Sequence, residues 1–140
     1  MSFEDLSPDW PGIPLSDPTH IADVLDLFVG MQARMDGALL ILVCDPLRRP
    51  VQPIMIDEIQ RMPMADAYRH LPRWSDAIAT SAPGCHLLFA LARRGGLSIT
   101  TTDRRWRRCV EETFSAIPCL GFHVVTPDGS RLVHDADVAA

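Results

Sequence analysis

The stretch "LLFALARRGGLSITTTDRRW", residues 87 to 106, carries the residue types best suited to chemistry: an apolar strand, a loop with Gly95 and Gly96, and the head of an arginine-rich helix. Such a junction suits a phosphate or a metal ion, because free N–H groups at a helix start attract anions and a strand can aim two ligands at one point. A phosphate cradle needs glycines converging on the helix start and usually a lysine. Here the glycines come several residues early, all thirteen basic residues are arginine, and neither G-x-x-x-x-G-K-[ST] nor G-x-G-x-x-G can be written. The residue types therefore speak against a nucleotide site. For a metal, positions i and i+2 of a strand face one way, and a carboxylate at the next helix start completes the set. Ala90, Ala92, Thr100 and Asp103 stand at that spacing, but methyl groups cannot hold an ion. A lone carboxylate neither binds zinc tightly nor activates a water. Asp103 has a sufficient structural role instead. Near a helix N-terminus it stabilises by roughly 0.3–1 kcal/mol through the dipole, with Thr101 or Thr102 available as a cap beside it.

This spacing resembles that of the JAMM/MPN metalloproteases, whose motif runs His-x-His, seven residues, Ser, two residues, Asp. Residues 38 to 134 are similar in element order to the RadC-like branch of that family. "ALLILVCDPLRRPVQPIMI" looks like its strand–turn–strand and "MADAYRHLPRWSDAIA" like its intervening helix. "TTTDRRWRRCVEETFSAIPCLGFHVVTPDGSRLV" resembles its helix followed by two strands around a polar turn. The resemblance implies a single α/β (α+β) domain, with a mixed sheet and flanking helices in an MPN/cytidine-deaminase-like three-layer arrangement. Residue by residue it also implies a disabled site. The histidine ligands fall on Ala90 and Ala92, the serine on Thr100, and only Asp103 keeps a ligand position. The family's glutamate base falls near Ile54 and Met55, with Asp57 and Glu58 displaced. A non-catalytic member with no metal and no cofactor is the expectation, and binding or scaffolding is its expected role.

The competing class is an enzyme, either a metal-dependent hydrolase with non-standard ligands or one using a Cys/His pair. His20, His70, His86, His123 and His134 form no H-E-x-x-H and no H-x-H. His86 and His123 lie on expected strands and would face each other only if those strands pair in the right register. Pro118-Cys119 begins a zinc deaminase's P-C-x-x-C, but residue 122 is Phe. Ser81 and Ser98 lie in no G-x-S-x-G. Cys44, Cys85, Cys109 and Cys119 show no C-x-x-C and read as small buried thiols.

Six arginines, Arg93, Arg94, Arg104, Arg105, Arg107 and Arg108, fall within sixteen positions. Arg104, Arg105, Arg107 and Arg108 are expected on the exposed side of their helix, as a solvated face partly countered by Glu111 and Glu112, or as an anion-binding patch for nucleic acid or an acidic partner, strengthened by Arg93 and Arg94 on the preceding loop. A net charge of −5 and the lack of clustered aromatics disfavour DNA or RNA. The proline-rich arm "FEDLSPDWPGIPLSDP" offers Phe3, Leu6, Trp10, Ile13 and Leu15 as anchors, either for its own domain or for a second copy. No run approaches the roughly 20 apolar residues of a membrane span, and the acidic N-terminus lacks signal-peptide character, so a cytoplasmic address is expected.

These side chains need a scaffold, and the pattern supplies one: an arm over residues 1–17 and one domain over 18–140. A helix is expected over 18–35, with Asp17 as cap and Ile21, Val24, Leu25, Phe28, Met31 and Met35 inward. "ALLILVC" reads as a central strand and "VQPIMI" as an edge strand, because of Pro53. Residues 64–81 read as helical but broken at Pro72, the second piece carrying Trp74 and Ile78. "CHLLFALA", a helix over 102–117, "CLGFHVVT" and "SRLVHD" complete an α-β-β-α-β-α-β-β order.

Overall fold

A computed structural model describes residues 3–139. Its elements are α1 (Pro18–Phe28), α2 (Met31–Asp36), β1 (Ala38–Cys44), β2 (Pro50–Asp57), α3 (Met64–Ser81), β3 (His86–Ala92), α4 (Thr101–Thr113), β4 (Cys119–Thr126), β5 (Gly129–Leu132) and α5 (Asp135–Ala139). The five strands form one mixed sheet in the order β2-β1-β3-β4-β5. Only β3 and β4 run parallel; the β2–β1, β1–β3 and β4–β5 pairs are antiparallel. This is the α/β fold expected, a mixed sheet flanked by helices.

All seven residues of β1 are buried, as the unbroken aliphatic run "ALLILVC" requires of a strand covered on both faces. Leu39, Ile41 and Val43 face the layer of α3 and α4, with Leu71, Ile78, Trp106 and Val110. Leu40, Leu42 and Cys44 face the layer of α1 with Val24 and Leu25. Burial pushes the Cys44 thiol up to about 12, so it acts as an apolar filler. The edge position of β2 accommodates Pro53, opposite Leu42, where a proline costs no ladder bond if its nitrogen faces outward.

The expected helix over 18–35 is two helices. Asp17 caps α1 by accepting the His20 N–H, but the chain turns extended at Val29 and Gly30 before α2 begins. Gly30 weakens helical continuity, and the break re-phases the residues after it. Met31 and Met35, expected inside, are 55% and 39% exposed, and Arg34 is buried in their stead. The expected break at Pro72 does not occur, and α3 is continuous. Leu71, Ser75 and Ile78 point inward while Pro72 is exposed, so the carbonyl robbed of its donor is that of exposed Tyr68, which water can serve. Trp74 lies outside, 41% exposed. The helix expected over 102–117 ends at Thr113, and Trp106, Cys109, Val110, Phe114 and Ile117 are all buried.

The arm is folded rather than extended. Two short 3-10 turns, Phe3–Asp5 and Trp10–Gly12, lay it along α1. The Trp10 ring meets Phe28 edge-on with centroids 5.8 Å apart, and Leu15 is buried and donates its N–H to the Arg48 carbonyl. No helix among the described residues is long and apolar enough to cross a membrane.

Candidate functional site

The loop between β3 and α4 is organised by one side chain. Arg93 leaves the end of β3 and turns its guanidinium under the loop toward α4. Its Nε donates to Asp103 Oδ1 and its Nη2 to Asp103 Oδ2, both at 2.8 Å. Nη1 donates to the Arg94 and Gly96 carbonyls at 2.9 Å, and Nη2 also donates to the Ser98 carbonyl at 3.0 Å. A guanidinium has five N–H groups, and all five are used. Gly95, at φ +92, lets the carbonyls on either side of it converge on Nη1, and a Cβ there would lie 3.4 Å from that atom.

Asp103 completes the arrangement from the helix side. Its Oδ2 accepts the Thr100 N–H at 2.9 Å, while Thr100 Oγ1 accepts the Asp103 N–H at 3.1 Å, a reciprocal capping box. The cap is Thr100, not Thr101 or Thr102. Asp103 is fully buried and Arg93 is 8% exposed. The charges are thus paired and hydrogen-bonded, the condition under which burying them is tolerable.

A metal of the kind that family holds does not fit these residues. Ala90 and Ala92 offer no donor and pack with Leu40, Leu42 and Val125 in the layer under α1. The helix carrying Asp103 packs on the opposite layer, and both carboxylate oxygens are already engaged. Among the described residues no group of three or more His, Cys, Asp or Glu is placed to hold an ion. Ile54 and Met55 are part-buried on β2, and Asp57 and Glu58 are exposed at its end.

The histidines do not assemble either. His86 lies opposite Cys44, its Nδ1 3.3 Å from the Asp45 carbonyl, whereas His123 lies opposite Ala90, four positions along the strand pair. That offset is roughly 13 Å at 3.3 Å per residue. His123 is buried with no partner on Nδ1 among the described residues, and burial pulls its pKa down to about 4. Cys119 and His134 do share a cavity of about 310 Å³ with Arg107 and Glu111. Cys44, Cys85 and Cys109 are buried as expected but Cys119 is exposed; partial desolvation of its thiol still raises its pKa, which opposes formation of a nucleophilic thiolate.

The arginine cluster divides into two sets. Arg93 is consumed by the loop and Asp103, and Arg107, expected on the exposed side, is buried and paired with Glu111 at 2.8 Å and with Asp135. Position 107 follows Asp103 by four residues and precedes Val110 by three, on the buried stripe of α4, and its guanidinium ties α4 to α5. Arg94 is exposed but donates to the Met35 carbonyl. Arg105 and Arg108 are exposed, and Arg104 is half-buried and bonded to Thr101 Oγ1.

A third buried arginine, Arg34, lies outside this cluster. Arg34 donates from Nε to the Val29 carbonyl, from Nη1 to the Thr126 carbonyl, and from Nη2 to Asp26 Oδ1 at 2.7 Å. Burial drives the Asp26 carboxyl upward, but the Phe3 N–H and Arg34 outweigh it and hold the group below its ordinary value. Gly30 was the available signal, because a break there turns Arg34 inward. Comparison of the chain with family models, curated proteins and solved structures gives no match.

Two outcomes are expected. Arg93→Ala should lower unfolding stability in urea by about 3–5 kcal/mol, because it leaves a buried unpaired carboxylate, and Arg93→Lys should recover only part with its three donors. Stability should also fall as pH drops from about 6.5 toward 4, since the unfolded His123 takes up a proton that the folded one refuses. That contribution is on the order of 3 kcal/mol, fully present above pH 6.5, and His123→Leu should flatten this part of the pH profile.

Proposed function

We propose that this chain is a non-catalytic, cytoplasmic binding domain of MPN-like plan that engages an acidic protein partner. The observation that carries the reading is the saturation of Asp103. The one carboxylate at a ligand position of the motif has both oxygens bound by Arg93, and its charge is met by a guanidinium rather than by an ion. The order strand–strand–helix–strand–helix–strand–strand from β1 to β5 supports the MPN-like plan. The lack of a thiolate-favouring setting at Cys119, and the separation of His86 from His123, weigh against the hydrolase alternative.

The partner chemistry follows from Arg104, Arg105 and Arg108. They sit on one helix whose position is fixed by Trp106 and Val110 in the core and by the Thr100 cap. Fields at physiological salt fade within about 8 Å, so this local cluster acts on a partner whatever the net charge of the whole chain. Few aromatic side chains accompany it, which favours carboxylates over nucleic-acid bases.

Zinc titrated in competition with a chromophoric chelator should go to the chelator, equally for wild type and Asp103→Asn. One zinc per chain, lost in Asp103→Asn, would overturn the non-catalytic reading. Labelled poly-L-glutamate should bind weakly, less so as salt rises, and not at all to Arg104→Glu/Arg108→Glu protein. Tighter binding of labelled RNA or DNA to the same face would replace the acidic partner with nucleic acid.

A further inference from the structure

Arg93 and Arg34 are both buried guanidiniums, but they differ in how many protons they commit. Arg93 uses all five N–H groups, whereas Arg34, whose side chain is only 7% exposed, uses three. Two N–H groups of Arg34 therefore have no acceptor among the described residues, and Arg34 lines a cavity of about 280 Å³. The cavity lies beyond the carboxyl ends of β3 and β4, the parallel pair, where open α/β sheets leave a crevice for ligands. Arg107 also has an unpaired nitrogen, but its Nη1 is sealed from solvent and a ligand cannot reach it.

The rest of the cavity selects the ligand. Asp128, exposed on the β4–β5 turn and with no side-chain hydrogen bond among the described residues, lines the cavity beside Ser130; Asp26 lines it too, but its two oxygens are already engaged by the Phe3 N–H and by Arg34. Ala22, Leu97 and Val125 supply an apolar wall. A simple carboxylate would meet Arg34 but be repelled by Asp128; a simple amine would meet Asp128 but leave the Arg34 protons unpaired. We propose that this cavity binds a zwitterion, an α-amino acid with an aliphatic side chain. Its carboxylate accepts from the free N–H groups of Arg34, its ammonium donates to Asp128, and its side chain covers the apolar wall. The bracing of Arg34 by the Val29 and Thr126 carbonyls and by Asp26 fixes the guanidinium before the ligand arrives.

This proposal stands on the Arg34 cavity alone and does not depend on the MPN-like reading. It is tested by isothermal titration of the whole chain at neutral pH with L-alanine, L-valine and L-leucine, and with two analogues of leucine bearing one charge each, 4-methylpentanoate and 3-methylbutan-1-amine. At least one of the amino acids should bind, and each single-charge analogue should bind about tenfold or more weakly, the loss of one charged hydrogen-bond partner. Asp128→Asn, which keeps the turn's backbone bond to Thr126 Oγ1, should weaken the amino acid about tenfold while leaving 4-methylpentanoate no weaker. No heat from any amino acid, or an analogue binding as well as the zwitterion, overturns the proposal.

Discussion

A guanidinium can be withdrawn from water only where acceptors replace the water it leaves, and the loop between β3 and α4 is shaped by meeting that demand. Three loop carbonyls and one carboxylate close around Arg93, so the loop's path, the start of α4 and the end of β3 are fixed together. Without the Arg93 side chain those carbonyls would have no common target. The capping box at Thr100 then sets where the helix begins, and with it which faces of α4 carry Trp106 inward and Arg105 outward.

The same chemistry recurs at Arg34 with a different balance. There the acceptors come from α1, the break after it and the end of β4, so the side chain ties the α1 layer to the sheet. Fewer acceptors than donors leave the group fixed but incompletely satisfied. Two arginines of equal burial thus do different work: one seals a loop and the other forms the wall of a cavity.

Much of the scaffold was legible because strand signals here are strong. β1 and β4 follow the apolar runs "ALLILVC" and "CLGFHVVT" residue for residue, and Pro53 marks the edge. The helix ends were less legible. Pro72 carries the stronger local argument against a helix, yet the chain breaks at Gly30 and not at Pro72, whose exposed face lets water serve the carbonyl left without a donor. The site was legible only by subtraction. Spacing located Asp103 and excluded ligands at Ala90 and Ala92, but nothing in a linear pattern says that Arg93, ten residues away, turns inward while Arg94 does not. Arg34 was hidden because the two methionines flanking it carried the apolar periodicity.

The rims of the sheet carry a consequence for assembly. At one rim, Pro53 sits opposite Leu42 and has no proton to offer a strand laid alongside, and the register of β2 shifts near Pro50. At the other rim, β5 is four residues long. Both rims therefore carry features that discourage main-chain addition of a sixth strand. That shifts recognition toward side chains, on helix surfaces and in crevices, where it depends on chemical type and not on the generic pairing of one backbone with another.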